Sequence, residues 1–156
     1  ARGMTALLDA LGRTINAVGD RLSKAPEEER PEQVIFVITT DGQENSSVEF
    51  KADQIREMVS HREEKYNWRF LFLGANIDSF GEGNKLGFAS TSTANYDPSS
   101  AGTEALYASV SNYVSDRRSH DSRADRVSMS EYLAEAEPEK GRRAEKKGRS
   151  EGGRKG

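Results

Sequence analysis

The chain has 156 residues, of which 34% are hydrophobic and 31% are charged, and its net charge is −3 at pH 7. This length is enough for one domain. It contains no cysteine, which excludes a disulfide framework, a thiolate metal site and a cysteine nucleophile. No apolar run has the length of a membrane span, so we expect a cytoplasmic protein.

The charge is unevenly distributed along the chain. Residues 138–156 contain eight Lys and Arg against three Glu, a net charge of +5, which leaves −8 for residues 1–137. Gly, Glu, Lys and Arg dominate this tail, and nothing in it can form a core. We predict a disordered basic tail that contacts nucleic acid or anionic surfaces only nonspecifically, since it has no aromatic residue to stack on bases.

The first predicted elements are a helix and a strand. An apolar stripe at helical spacing follows Thr5 and consists of Leu7, Leu8, Leu11, Ile15, Val18 and Leu22. Residues 34–38 form an unbroken, β-branched apolar run, which predicts a central strand of a parallel sheet, covered on both faces. A polar segment, residues 39–47, follows it. Loops at the carboxyl ends of parallel strands form the ligand sites of such sheets.

The strand and helix pattern then repeats. We predict a helix over residues 52–64, a strand over 69–73, a short helix around 80–86, a brief strand near 88–89 and a helix over 101–118. This alternation predicts a doubly wound, Rossmann-like α/β fold, with a mostly parallel sheet and helices on both faces. We expect residues 119–137 to be a weakly structured extension with a weak helix over 126–134.

Three segments, in order and spacing, resemble the von Willebrand factor type A (VWA) family, in particular its bacterial intracellular members. They are residues 3–11 (GMTALLDAL), residues 34–42 (VIFVITTDG) and residues 70–76 (FLFLGAN). The resemblance covers residues 1–118 and identifies them as the C-terminal part of a VWA-like domain.

The family's metal-ion-dependent adhesion site (MIDAS) also uses an Asp-x-Ser-x-Ser motif, which this chain lacks. Its nearest string, residues 97–101, follows no buried strand and has alanine at the last ligand position. The resemblance implies that the opening strands lie upstream, so that the domain is N-terminally incomplete. It also implies that the strand over residues 34–38 is an open edge in this chain.

By resemblance, Thr5 and Asp41 are the ligands that this chain supplies to a divalent cation, Mg²⁺ or Mn²⁺, directly or through water. Mg²⁺ prefers six oxygen ligands and retains several waters. An acidic side chain of a partner protein then occupies the open position. The resemblance therefore implies a metal-dependent protein-binding module with an incomplete site, and not an enzyme.

The residues themselves leave simpler alternatives open. Thr5 is equally suited to cap the helix that follows, and Asp41 with Gly42 is a frequent turn signal. Residues 43–46 line the site or form a plain solvated loop. Asn76 and Asp78 follow the next strand, where a turn is favoured over a place at the site.

Two other functions remain as alternatives. A degenerate VWA scaffold would keep the fold without the metal, and a doubly wound phosphoryl-transfer enzyme would use Asp41. Against the enzyme, His61 and His120 lack partners for nucleophilic catalysis. Residues 81–87 (GEGNKLG) lack the spacing of a phosphate-binding loop, so a flexible turn is favoured there.

Overall fold

The computed structural model describes residues 6–42 and 47–137. These residues form two compact units, which divide after Asn95. The first unit contains all the strands of the described chain, and the second is helical. No helix in either unit is long and apolar enough to cross a membrane.

The first unit alternates helices and strands. Its elements are α1 (Leu7–Lys24), β1 (Ile35–Thr40), α2 (Ala52–Tyr66), β2 (Arg69–Gly74), α3 (Ser79–Lys85) and β3 (Thr93–Asn95). The strands are parallel, in the order β1-β2-β3, with Phe36 beside Phe70 and Phe72 beside Thr93. The unit is therefore a small Rossmann-like α/β fold with a three-stranded parallel sheet flanked by helices, which confirms the predicted fold class.

The core of this unit lies between the sheet and its helices. Leu11 and Ile15 of α1 pack with Ile55 and Val59 of α2, and in each helix the four-residue spacing places both side chains on one face. The aromatic rings of the core are Phe36, Trp68, Phe70, Phe72 and Phe88. Burying this apolar surface is the main force that holds the sheet and helices together.

The prediction that the first strand is central and covered on both faces is wrong. In the described sheet β2 is central and β1 lies at the edge, as the resemblance implied. Val37 is 40% exposed, whereas Leu71 beside it in β2 is fully buried. An apolar run indicates a strand, but the order of strands depends on pairing between distant segments, which composition does not encode.

The third strand also differs from its prediction. It comprises Thr93–Asn95, not residues 88–89. Gly87 adopts a left-handed conformation with φ of 84°, which is the region that favours glycine. Phe88 then packs on Phe72 with ring centroids 5.3 Å apart. Phe88 is therefore apolar because it is buried in the core, and the third strand begins later, at Thr93.

The second unit contains α4 (Ser100–Arg118), α5 (Arg123–Arg126) and α6 (Met129–Ala136). Tyr132 of α6 is buried, meets Tyr113 edge to face at 5.7 Å and donates a 2.7 Å hydrogen bond to Asp116. The segment expected to be weakly structured thus contains two helices, because its few apolar side chains pack against α4. The predicted basic tail, residues 138–156, lies outside the described residues.

Candidate functional site

The carboxyl ends of β1 and β2 meet at one edge of the sheet. The Ala75 amide donates a 2.9 Å hydrogen bond to the Thr40 carbonyl, so the parallel pairing reaches the last residue of β1 and the first residue after β2. Asp41 follows β1 directly and is exposed. The candidate metal ligand therefore stands at the end of the sheet where parallel α/β folds bind ligands.

Thr40 fixes the backbone on both sides of Asp41. Its hydroxyl donates a 2.9 Å hydrogen bond to the Gly42 carbonyl and accepts a 3.4 Å hydrogen bond from the Gly42 amide. Thr40 is only 8% exposed. Its hydroxyl is therefore engaged in the turn, while the neighbouring carboxylate of Asp41 faces outward.

Asp9, in the first turn of α1, connects this helix to the far end of the loop that begins at Asp41. Its carboxylate accepts hydrogen bonds from the backbone amides of Val48 (2.9 Å), Glu49 (2.9 Å) and Phe50 (2.8 Å). In return, the Asp9 amide donates a 3.2 Å hydrogen bond to the Ser47 hydroxyl. Asp9 is 3% exposed whereas Val48 is 92% exposed, so these bonds are partly buried.

Side chains thus satisfy a run of backbone amides that precedes α2. Asp9 accepts from residues 48–50, and the Gln54 side chain accepts the Lys51 amide at 2.9 Å. The three amides that bond to Asp9 are partly shielded from water and need an acceptor, so these acceptors stabilise one conformation of residues 48–50. The entry to α2 is consequently held against the start of α1.

The surroundings of Asp9 favour its charged form. The hydrogen bond from the Val48 amide has the largest effect and lowers the pKa of Asp9, whereas burial raises it. The hydrogen bonds from the amides of Phe50 and Glu49 and the positive charge of Arg13 lower the pKa further. Arg13 also forms a 2.6 Å ion pair with Glu49. Asp9 therefore remains a carboxylate that can accept all these hydrogen bonds.

The other residues predicted near the site fall into two groups. Thr5 and residues 43–46 lie outside the described residues; the N-cap position of α1 is occupied by Ala6. Asp78 caps α3 by accepting a 3.1 Å hydrogen bond from the Gly81 amide, and Asn76 adopts a left-handed turn with φ of 60°. These two residues have the turn roles that the sequence favoured.

A pocket of about 150 Å³, here named the carboxyl-end pocket, opens beside Asp41. Thr40 and Gly42, the two chain neighbours of Asp41, both line it, as do Glu82 and Lys85 of α3. The rest of its wall is apolar and consists of Leu7, Leu8, Ala52, Phe72, Ile77 and Leu86. This pocket could not be predicted from the sequence, because its wall comes from several separate elements.

Asp9 was not predicted to belong to the site. A signal was available, because Asp9 interrupts an otherwise apolar helix start and lies four residues after Thr5 in the sequence. Within residues 6–42 and 47–137, no three His, Cys, Asp or Glu side chains lie close enough together to hold a metal ion. The rings of His61 and Tyr66 are in contact, with centroids 5.6 Å apart, and we assign His61 no catalytic role.

The chain was compared with protein-family models, curated proteins and solved structures, and none of them matches.

Proposed function

We propose that this protein is a metal-dependent protein-binding module of VWA type, in which a divalent cation at the carboxyl end of the sheet binds an acidic side chain of a partner. The observation that supports it best is the exposed carboxylate of Asp41 at the end of β1, beside a turn fixed by Thr40. Parallel α/β sheets bind their ligands at this edge.

The Asp9 contacts support a site assembled from two segments. Asp9 lies four residues after Thr5 in the sequence, and its carboxylate holds residues 48–50, which follow Asp41 in the chain and precede α2. Both candidate ligands are therefore close in sequence to segments that the hydrogen bonds of Asp9 bring together. A multidentate metal site needs such convergence of separate segments.

The chemistry of the donors fits a hard cation. The carboxylate of Asp41 and the hydroxyl of Thr5 are oxygen ligands, which Mg²⁺ prefers over nitrogen or sulfur. They account for two of about six positions, and waters, the partner and further residues supply the others. When bound, the ion provides a positive charge that attracts a carboxylate of the partner.

We propose binding and not catalysis. The Thr40 hydroxyl next to Asp41 is hydrogen-bonded within its own turn, which makes it a structural group and a poor nucleophile. The exposed residue Asp41 is open to an ion from solvent, which suits its carboxylate as a metal ligand.

Titration of the full-length protein with Mn²⁺, followed by NMR, tests the proposal. Paramagnetic broadening should affect the amides of Asp41 and Gly42 first and should disappear in Asp41→Ala. Asp20→Ala is the matched control, because Asp20 is exposed and lies near the opposite end of α1; it should leave the broadening intact.

Two results would contradict the proposal. Equal broadening in Asp41→Ala would exclude Asp41 as a ligand, and a protein that binds no Mn²⁺ or Mg²⁺ would be a scaffold that has lost the ion. Hydrolysis of a generic phosphoester that is abolished by Asp41→Asn would instead establish the phosphoryl-transfer alternative.

A further inference from the structure

We infer that the carboxyl-end pocket binds a branched aliphatic side chain of the partner, one or two residues away from the acidic side chain that reaches Asp41. This inference rests on the proposed function and specifies its ligand. The partner segment would be recognised by two adjacent groups, a carboxylate and an apolar side chain of the size of leucine or isoleucine.

The size and lining of the pocket fit such a group. Its volume is about 150 Å³, and apolar cavities of about this volume have room for benzene. The leucine side chain has four carbons and is smaller than benzene. A charged side chain would lose its hydration against Leu8, Phe72 and Leu86, and the two charged groups of the lining, Glu82 and Lys85, are already paired with each other.

The position of the pocket links it to the candidate metal ligand. Thr40 and Gly42 line the pocket, and Asp41 lies between them in the chain. An extended peptide advances about 3.3 Å per residue. A partner residue inserted into the pocket therefore places its neighbours within reach of a cation at Asp41.

The rim of the pocket carries one charge of each sign. Lys85 forms a 3.2 Å ion pair with Glu82, and both residues line the pocket. A ligand carboxylate that approaches Lys85 would also meet the carboxylate of Glu82. The preference for an acidic ligand therefore comes from the cation at Asp41, and the pocket itself selects for an apolar group.

The neutral probe 3-methylbutan-1-ol tests the apolar half of the inference without metal. In the full-length protein it should cause saturable NMR shifts of the methyl groups of Leu7, Leu8, Ile77 and Leu86. Ala52→Leu fills the pocket and should abolish these shifts. Ala101→Leu is the control, since Ala101 is exposed in the first turn of α4; it should preserve them.

A second variant covers the case in which Ala52→Leu does not fold. Ile77→Ala enlarges the pocket and should raise the affinity for benzyl alcohol relative to 3-methylbutan-1-ol several-fold. Shifts that do not saturate in the wild type, shifts that persist in Ala52→Leu, or an unchanged preference in Ile77→Ala would each overturn the inference.

A carboxylate probe separates this inference from the proposed function. In the presence of Mg²⁺, 4-methylpentanoate should bind at least tenfold more tightly than acetate, and Asp41→Ala should remove the effect of the metal. If both carboxylates gain equally from Mg²⁺ and bind equally well, the pocket inference is wrong and the proposed function stands. If neither gains from Mg²⁺ while the alcohol binds, the proposed function fails and only the aliphatic subsite remains.

Discussion

Asp9 and Phe50 are 41 residues apart in the sequence and are joined by a 2.8 Å hydrogen bond from the Phe50 amide to the Asp9 carboxylate. The side chain of Phe50 makes a second contact with α1, because its ring packs over Gly12. The same residue is thus held to the same helix by its backbone and by its ring. This double attachment fixes Phe50, two residues before the start of α2, against α1.

The first prediction concerns Asp9→Asn. The amide side chain has a single acceptor oxygen and a donor group in place of the second oxygen, so at least one partly buried amide among residues 48–50 loses its partner. We expect a lower melting temperature and faster hydrogen exchange at Val48, Glu49 and Phe50. Asp20→Asn should leave exchange at these amides unchanged, and equal exchange in both variants would refute a structural role for Asp9.

The second prediction concerns acid. The pKa of Asp9 is lowered in the folded chain, so Asp9 adds stability above the unfolded Asp pKa of about 3.9, and this stability is lost as pH falls through the lower, folded value. The difference in unfolding free energy between wild type and Asp9→Asn should therefore be constant at neutral pH and shrink below pH 4. Urea titrations across this range measure it; a difference that grows in acid would contradict the assignment.

The third prediction concerns Gly12→Ala. Alanine is the better helix former by about 1 kcal/mol, but a Cβ at Gly12 would lie 2.6 Å from Cγ and Cδ1 of Phe50. Overpacking of this kind costs about 1–3 kcal/mol, so we expect net destabilisation in denaturant titrations. In Phe50→Leu the smaller side chain should relieve the clash, and Gly12→Ala should then be neutral or stabilising. Equal effects in both backgrounds would show that Phe50 is not the obstacle.

The features that could be predicted from the sequence are those that depend on a few neighbouring residues. The apolar runs of β1 and β2 and the periodic stripe of α1 each report burial over a few neighbouring residues, and such signals predict elements well. The partners of Asp9 are backbone amides about 40 residues away, and a backbone amide has no sequence signature. At Phe88 the sequence led to a wrong strand prediction, because an apolar residue beside Gly87 is equally compatible with a strand and with a core contact.

In the candidate site, too, some features could be predicted from the sequence and others could not. The position of Asp41 at a strand end could be predicted because it directly follows an apolar run. The carboxyl-end pocket could not, since Leu8, Ala52, Ile77 and Leu86 come together only when α1, α2, α3 and the sheet have packed. The roles of Thr5 and Asp41 as ligands remain predictions.

The fourth prediction concerns Tyr132→Phe in the second unit. This change removes the 2.7 Å hydrogen bond to Asp116 and keeps the edge-to-face contact with Tyr113. A hydrogen bond contributes about 0.5–1.5 kcal/mol, and a bond to a charged group somewhat more. We expect a loss of about that size in urea titrations. Tyr107→Phe, at a residue that is 69% exposed, should have almost no effect.

The fifth prediction concerns alkaline pH. Burial, together with the hydrogen bond to Asp116, raises the pKa of Tyr132 to about 12. Because the neutral phenol is favoured in the folded state, its stabilising effect is complete below the unfolded Tyr pKa of about 10 and is lost as pH rises toward 12. The stability of the wild type should fall over this range, and the fall should be smaller in Tyr132→Phe. Circular dichroism during a base titration measures both.

The hydrogen bonds of Asp9 have a consequence for the order in which the first unit gains and loses structure. They close a chain loop that contains the whole of β1, so residues 48–50 acquire their acceptors only when α1 has already docked on the sheet. The start of α1, the end of the Asp41 loop and the entry to α2 should therefore open together as one cooperative unit. In such a unit, amide protection at Val48 is a direct measure of whether α1 is in place.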